Sequence, residues 1–513
     1  MTQSVIIANG FALTCDQDNR GGRLHVLVQD GRIAEVATSL DALTGQQRGI
    51  RVIDATGKLL LPGFVNAHVH SDSLFHRVQT VGKHALVWQQ DKAFVSAAAR
   101  FTALSREEID AAYQSLFAAH LRSGTTTVGE FPPPLDDRTF LALLQSADRC
   151  RTRTVTALQS WDQIVRASEL GTARPPCVIN LGTPGDFTIY SFENLVRAAK
   201  QQGFPLLAHV AETREDAETV RKNFRKDTVS LLRDMGALNP GTLVAHANHC
   251  ADQEVRILED LGIPLVLCAR SAAGKQTGFP SLRSINGRNI FLCLGTDWGS
   301  LDMIREMHFC AHLPMLLPGI SGFSPMEVIR MATVNGAYAL GVDADTGSLQ
   351  RGKRADITFF DLSDIRLPLL PPHPTTDDLA LLVVRDLTAA NVCDVMVGGE
   401  FVVHKGVVTG ANEHDLMAGV RRIHAKLYPG DESVPGEEPE RSAPKVIQFV
   451  PDTKRSEADV ESFESGFAPR TTAPDEPAEP QPWPKPRKKE PRSPQLPELS
   501  KDVRRVFGED DDY

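Results

Sequence analysis

His68 and His70 stand two residues apart at the end of the apolar run GFVNAHVH (63–70). On an extended chain an i, i+2 pair points to one side. Two imidazoles facing one way are natural ligands for a borderline divalent metal. Further on, His209 ends the run PLLAHVA (205–211) with Glu212 just beyond it, His246 stands in TLVAHAN (242–248), and Asp297 closes IFLCLGTD (290–297). Histidines and a carboxylate converging from separate strands, with one position left open for water, make a hydrolytic metal centre. Each residue alone has a plainer use. An HxH pair is common without metal, a lone His209 or His246 is more often a satisfied core or loop histidine, and Asp297 alone would serve as a helix N-cap. Four such groups at the ends of four different strands are hard to assemble by chance, and their combination carries the metal reading.

Something must hold those strand ends together. Eight short apolar runs predict strands: 63–70, 125–131, 154–160, 177–183, 205–211, 242–248, 264–270 and 290–297. Helical patterns such as SREEIDAAYQSLFAAHLRSG and DQEVRILEDLG lie between most of them. Eight βα units over about 280 residues are what a parallel (β/α)8 TIM-like barrel requires, with its catalytic groups at the C-terminal strand ends. A doubly wound α/β sheet would alternate too, but seldom needs eight strands. The barrel is assigned to 61–345. Before it, VIIANGFALT, LHVLVQDGRIAEVA and RVIDATGKLLL carry β-branched alternation broken by Asn-Gly, Asp-Gly and Thr-Gly turns, and the same texture returns in DITFFDL and VCDVMVGGEFVVHKGVVTG. Segments 1–60 and 346–415 therefore predict one small β-sandwich built by both flanks of the chain.

The last part of the chain separates by composition. Of 33 prolines, 15 fall between Pro429 and Pro497. Such a segment buries too little apolar surface to offset its ordering entropy, which predicts a disordered, charged tail over 430–513. Its basic run Lys485-Pro486-Arg487-Lys488-Lys489, VIQFV (446–450) and SKDVRRVF (500–507) are the pieces that a protein partner would dock, although a solvated charge run is the plainer reading. The tail carries 20 acidic and 13 basic residues, which leaves 45 acidic against 42 basic in 1–429. A near-neutral body argues against a nucleic-acid surface and does not favour an anionic membrane. No apolar run reaches the length of a membrane span, and MTQSVIIANGF lacks a basic region ahead of an apolar core. The eight cysteines are scattered with no CxxC, which suits a reduced, cytoplasmic protein.

LLPGFVNAHVHS, AHVAE, VAHANH, GTD and the closing ATVNGAYALGVDADTGSLQRGKRADITFFDL together resemble the amidohydrolase superfamily, over about residues 4–410. The branch they resemble is the chlorohydrolase/deaminase group, which includes guanine, cytosine and adenosylhomocysteine deaminases and triazine hydrolases. The resemblance implies that His68, His70, His209 and Asp297 hold one divalent metal ion, zinc more than iron. It implies that Glu212 is the proton-shuttling acid/base, and that His246 polarises the electrophile or leaving group. A metal lowers the pKa of its water from 15.7 to about 7, Asp297 beside that water accepts a proton, and Glu212 protonates a ring nitrogen before delivering a proton to the departing amine. Binuclear members carry a carboxylated lysine at the end of strand 4; here that strand reads CVINLGTPGD, without lysine, which argues for a single metal. A homodimer is what the resemblance suggests for assembly.

The chain departs from the family pattern after strand 7. A Cys-Pro-x-Ser-Asn-type loop is usual there, and this chain has Cys268-Ala269-Arg270-Ser271-Ala272. Arg270 could grip a substrate carboxylate or phosphate by a two-pronged contact, or turn to solvent. In the loop after strand 1, Trp88 could stack on a heteroaromatic ring or act as a hydrophobic plug, and Trp298, directly after Asp297, could shape the pocket. Trp161 and His249 are lesser candidates.

Three functions compete on these residues. The first is a mononuclear metal-dependent aminohydrolase that releases ammonia from a nitrogen heterocycle such as a purine, pterin or pyrimidine by metal-hydroxide attack. The second is a hydrolytic dechlorinase or N-dealkylase of triazine-like rings. The third is an inactive barrel that serves as a scaffold recruited through the tail, against which the complete set His68, His70, His209, Glu212, His246 and Asp297 speaks.

Overall fold

The computed structural model describes residues 4–429, apart from 45–49, 81, 159–176, 185–195, 198, 200–204, 240, 281, 286 and 317–321. The expected tail, with its basic run, and Trp161 lie outside the described residues.

The eight apolar runs form eight strands: β1 (Phe64–Val69), β2 (Thr125–Glu130), β3 (Arg153–Leu158), β4 (Cys177–Asn180), β5 (Leu206–Val210), β6 (Leu243–His246), β7 (Leu265–Leu267) and β8 (Leu292–Leu294). Each pairs in parallel with the next, in chain order. The eight strands form a (β/α)8 barrel. Its seam closes through a parallel bridge between Val69 and Asp297. There the Asp297 amide donates to the His68 carbonyl at 2.9 Å, and the His70 amide donates to the Asp297 carbonyl at 3.3 Å. A Cβ at Gly295 would come within 2.7 Å of the His68 carbonyl oxygen, so the two strand ends approach this closely only because that position is glycine.

Val65, Ala67, Val155, Ala157, Val178, Leu207, Val266 and Cys293 share one buried cluster, as the small and branched side chains that fill a barrel do. A second, larger cluster lies under the helices and includes Tyr113, Phe117, Phe140, Leu258 and Met307. The helices stop where their sequences say they should. Arg106–Arg122 starts at a capping box in which Ser105 and Glu108 satisfy each other's backbone N–H groups. Asp252–Leu261 ends on Gly262, whose φ of 63° is the left-handed conformation glycine adopts at no steric cost.

The flanks meet in one nine-stranded sheet. Val5–Leu13 pairs with Gly21–Gln29 and Arg51–Asp54, and Lys58–Pro62 joins it to the late strand Ile357–Asp361. Val392–Val397 and Glu400–His404 extend that side. Val26 and Ile33 from one end share a core with Phe359 and Met396 from the other, so the sheet wraps around a common interior as a sandwich does. The chain leaves this sheet at Pro62 and enters β1 two residues later. One further element was not expected. Helix Glu413–Leu427 follows the sheet, and Tyr428 at its end hydrogen-bonds His76 Nδ1 at 2.8 Å. None of the eight cysteines is joined in a disulfide, and no described helix is long and apolar enough to cross a membrane.

Candidate metal centre

The pairing of β1 with β2 slips between Asn66 and Val69. That irregularity lets Val65 and Ala67 join the inner core while His68 and His70 still face the barrel mouth. His209 arrives at the end of β5, and its ring lies 4.9 Å from that of His68 and 5.4 Å from that of His246. Asp297 follows β8, with Oδ1 3.5 Å from Nε2 of both His68 and His70. Three sets form in which the ligand atoms all lie within 4.8 Å of one another: His68, His209 and His246; His68, His70 and Asp297; Glu212, His246 and Asp297. The six residues singled out for chemistry therefore converge at one end of the barrel.

The backbone is bent to achieve this. Ala211, His246, Ala247 and Asp297 have φ values of 43°, 75°, 57° and 47°. Non-glycine residues in this region cost free energy and persist where the surroundings over-determine them, commonly at functional sites. Here they sit just past β5, at the end of β6 and just past β8, where the chain must turn a side chain inward.

The charge states suit a cation. Burial, together with neighbouring imidazoles, holds His209 well below its ordinary value. Burial holds His70 down to about 3 and pulls His246 down as well. Those rings are therefore neutral with lone pairs available. Burial alone would raise Asp297, but the Lys275 ammonium and the facing His68 ring hold it well below the usual carboxylate range. Neither ring nitrogen of His68 makes a hydrogen bond, nor does Nε2 of His246, although all three are shielded from water. Buried polar atoms are normally satisfied. Unpartnered imidazole nitrogens around an ionised carboxylate are the donor set a divalent metal needs. A metal fits this site.

Glu212 stands on the other side of His246, with Oε2 3.7 Å from His246 Nε2. Helix Ala269–Lys275 supplies two groups the sequence analysis missed. Ser271 Oγ donates to Asp297 Oδ2 at 2.6 Å. One turn later, the Lys275 ammonium pairs with both Asp297 and Glu212. Asp297 Oδ2 is thus occupied while Oδ1 faces the histidines. No motif flags Lys275; its only sequence signal is the spacing Ser271-x-x-x-Lys275, which puts both side chains on one helical face. Strand β4 ends in Asn180, whose Oδ1 accepts from the Gly182 amide at 2.8 Å.

The residues considered for substrate contact fall into two groups. Trp298 stacks on His70 at 5.5 Å between ring centroids. Trp88 is buried, 4.6 Å from Phe94 and 5.0 Å from Trp298, in an aromatic cluster behind it. Arg270 is half-buried and donates from Nη1 to Ser300 Oγ at 2.6 Å. His249 is tied to the Thr277 carbonyl at 2.7 Å. Behind β1, a buried polar cluster clamps the chain just after His70: the Ser71 amide and hydroxyl donate to Glu130 at 3.2 and 2.5 Å.

Comparison with known proteins agrees with this architecture. The family described as Amidohydrolase family matches residues 59–402. A 5-methylthioadenosine/S-adenosylhomocysteine deaminase of Moorella thermoacetica is 26% identical over 428 residues, covering 79% of this chain and 95% of that protein. A zinc-bound adenosine deaminase from Xanthomonas campestris superposes with a TM-score of 0.73 at 21% identity, covering 83% of this chain and 98% of that one. The atrazine chlorohydrolase of Arthrobacter aurescens, complexed with zinc, gives 0.71 at 18% identity, covering 82% and 100%.

Proposed function

From the premise that this chain belongs to the amidohydrolase family, hydrolases of carbon–nitrogen bonds, we propose that it is a mononuclear deaminase releasing ammonia from a purine-type heterocycle. The observation that carries this reading is the convergence of unpartnered, neutral imidazoles on one ionised aspartate, with Glu212 beside them. His68, His70, His209 and Asp297 hold the metal, zinc rather than iron. The metal, when bound, supplies a Lewis acid that makes water nucleophilic near neutral pH.

The chain's own groups do the rest. Asp297 is ionised and, through the Ser271 hydrogen bond, fixed in orientation. Glu212 is also held ionised, because the Lys275 ammonium outweighs the effect of burial. It takes one proton of the attacking water and gives it to the substrate's ring nitrogen, while the water's second proton, accepted by Asp297, goes to the amine, which leaves as ammonia. His246 is neutral and 3.7 Å from Glu212, so it donates a hydrogen bond to the oxygen that develops charge. Trp298 offers a flat wall beside His70 for a heteroaromatic ring. The absence of lysine from the end of β4 supports one metal rather than two. The purine preference rests on relatives named as deaminases of adenosine derivatives.

Ammonia release tests the reading. The purified, zinc-loaded chain should release ammonia from at least one of adenosine, 5′-deoxyadenosine, 5-methylthioadenosine and S-adenosylhomocysteine, and lose that activity to a chelator. Chloride release from a chlorotriazine, with no ammonia from any purine, pterin or pyrimidine, would move the chain to the dechlorinating class.

A further inference from the structure

Two carboxylates meet at this site: Asp297 is buried, 1% exposed, and Glu212 is half-buried, 17% exposed. Ionised carboxylates are costly to bury unless paired. Among the described residues, the one lysine or arginine that pairs with either carboxylate is Lys275, and it pairs with both. Its side chain is itself 7% exposed. Gly274 before it has open space around its Cβ position, and Gln276 after it turns the helix off in a left-handed conformation with φ 56°.

We propose that Lys275 is a resident counter-ion of the metal site, holding the Glu212 and Asp297 side chains in place in the metal-free chain and weakening the site's affinity for a divalent cation. The claim rests on the metal reading above. Asp297 divides its two oxygens: Oδ2 is engaged by Ser271 and Lys275, and Oδ1 faces His68 and His70. A cation held through Oδ1 would share the carboxylate with the ammonium on Oδ2, and their mutual repulsion would oppose loading. With Lys275 the site carries one net negative charge without metal; without Lys275 it would carry two. The lysine thus favours the empty, folded state over the loaded one. It acts through Asp297 and Glu212 and is a positioning residue.

Lys275→Met and Lys275→Arg separate this role from simple packing. Zinc affinity is read by competition with a chromophoric chelator, and melting temperature is read with and without chelator. Lys275→Met should bind zinc at least about tenfold more tightly, as expected when a unit charge a few ångströms from the ion is removed at an effective dielectric constant near 20. It should also melt much lower than wild type when chelated, with a smaller loss when zinc-loaded. Lys275→Arg, which keeps the charge, should restore the chelated melting temperature. If Lys275→Met folds only with zinc, it is prepared loaded, and the chelator should strip its zinc more slowly than wild type's. Unchanged or weaker zinc binding in Lys275→Met, or equal loss of stability in both variants, would overturn the proposal. A wild-type chain that binds no zinc would instead sink the metal reading, and the chelated melting temperatures would still judge the counter-ion claim.

Discussion

Replacing Glu212 by Gln separates proton transfer from metal holding. Gln has nearly the same shape, and Glu212 is not among the four groups assigned to the metal, so the ligand set should stand. Its carboxylate lies 3.7 Å from His246 and pairs with Lys275; the amide retains an acceptor oxygen toward the ammonium but cannot take up a proton and return it. Proton transfer by a positioned side chain is worth about 10²–10⁴-fold in rate. At about 1.4 kcal/mol per factor of ten, this adds about 2.7–5.5 kcal/mol to the barrier. Glu212→Gln should therefore lower kcat for ammonia release by about 10²–10⁴-fold, with one zinc per chain retained. The assay is continuous ammonia detection at saturating substrate, with zinc measured on the same sample. Activity within threefold of wild type would remove Glu212 from proton transfer. Loss of zinc would show that it is a ligand instead.

Three further outcomes follow from the same geometry. Burial pushes the Glu130 carboxyl up to about 8 from an ordinary 4.5, so the folded chain keeps a proton that the unfolded chain releases. The stability this contributes is complete below pH 4.5 and is lost as pH rises toward 8, at about 1.4 kcal/mol per pH unit. Glu130→Gln should flatten the fall in unfolding free energy between pH 5 and 8, and an unchanged slope would place the titration elsewhere. Ser271→Ala removes a buried, charge-assisted hydrogen bond to Asp297 and should cost about 1.5–3 kcal/mol in chemical unfolding of the chelated protein; a loss under about 0.5 kcal/mol would mean that Lys275 holds Asp297 alone. Arg270→Ala should raise KM more for substrates with a carboxylate or phosphate than for neutral ones, and an equal rise for both would argue against anion recognition.

Much of the site could be read from the chain itself, because its residues obey local rules. A histidine two positions from another on a strand, and a carboxylate where an apolar run stops, are visible without a fold. The barrel was legible too, since eight apolar runs spaced by helical patterns have few other arrangements. Three features were not. The slip between Asn66 and Val69 depends on how β1 meets β2, and no single strand reveals it. The left-handed turns at His246 and Asp297 occur at residues that carry no glycine signal, so only the assembled barrel imposes them. Lys275 sits in ARSAAGK, which reads as an ordinary exposed helix end; its burial against two carboxylates follows from the packing of that helix over the mouth. Trp88 and Trp298 illustrate the same limit. Trp88 was a candidate to stack on a ring and Trp298 to shape the pocket, and the fold places Trp298 on His70 with Trp88 behind it.

X-ray absorption at the metal edge, on protein carrying its native metal and quantified by elemental analysis, reads the ligand set of the bound ion itself. One zinc per chain is expected, bound by three imidazole nitrogens and one carboxylate oxygen plus solvent, with that ligand set disrupted in Asp297→Asn. A chain purified without bound transition metal, or a shell containing sulfur or fewer than three imidazoles, would contradict it.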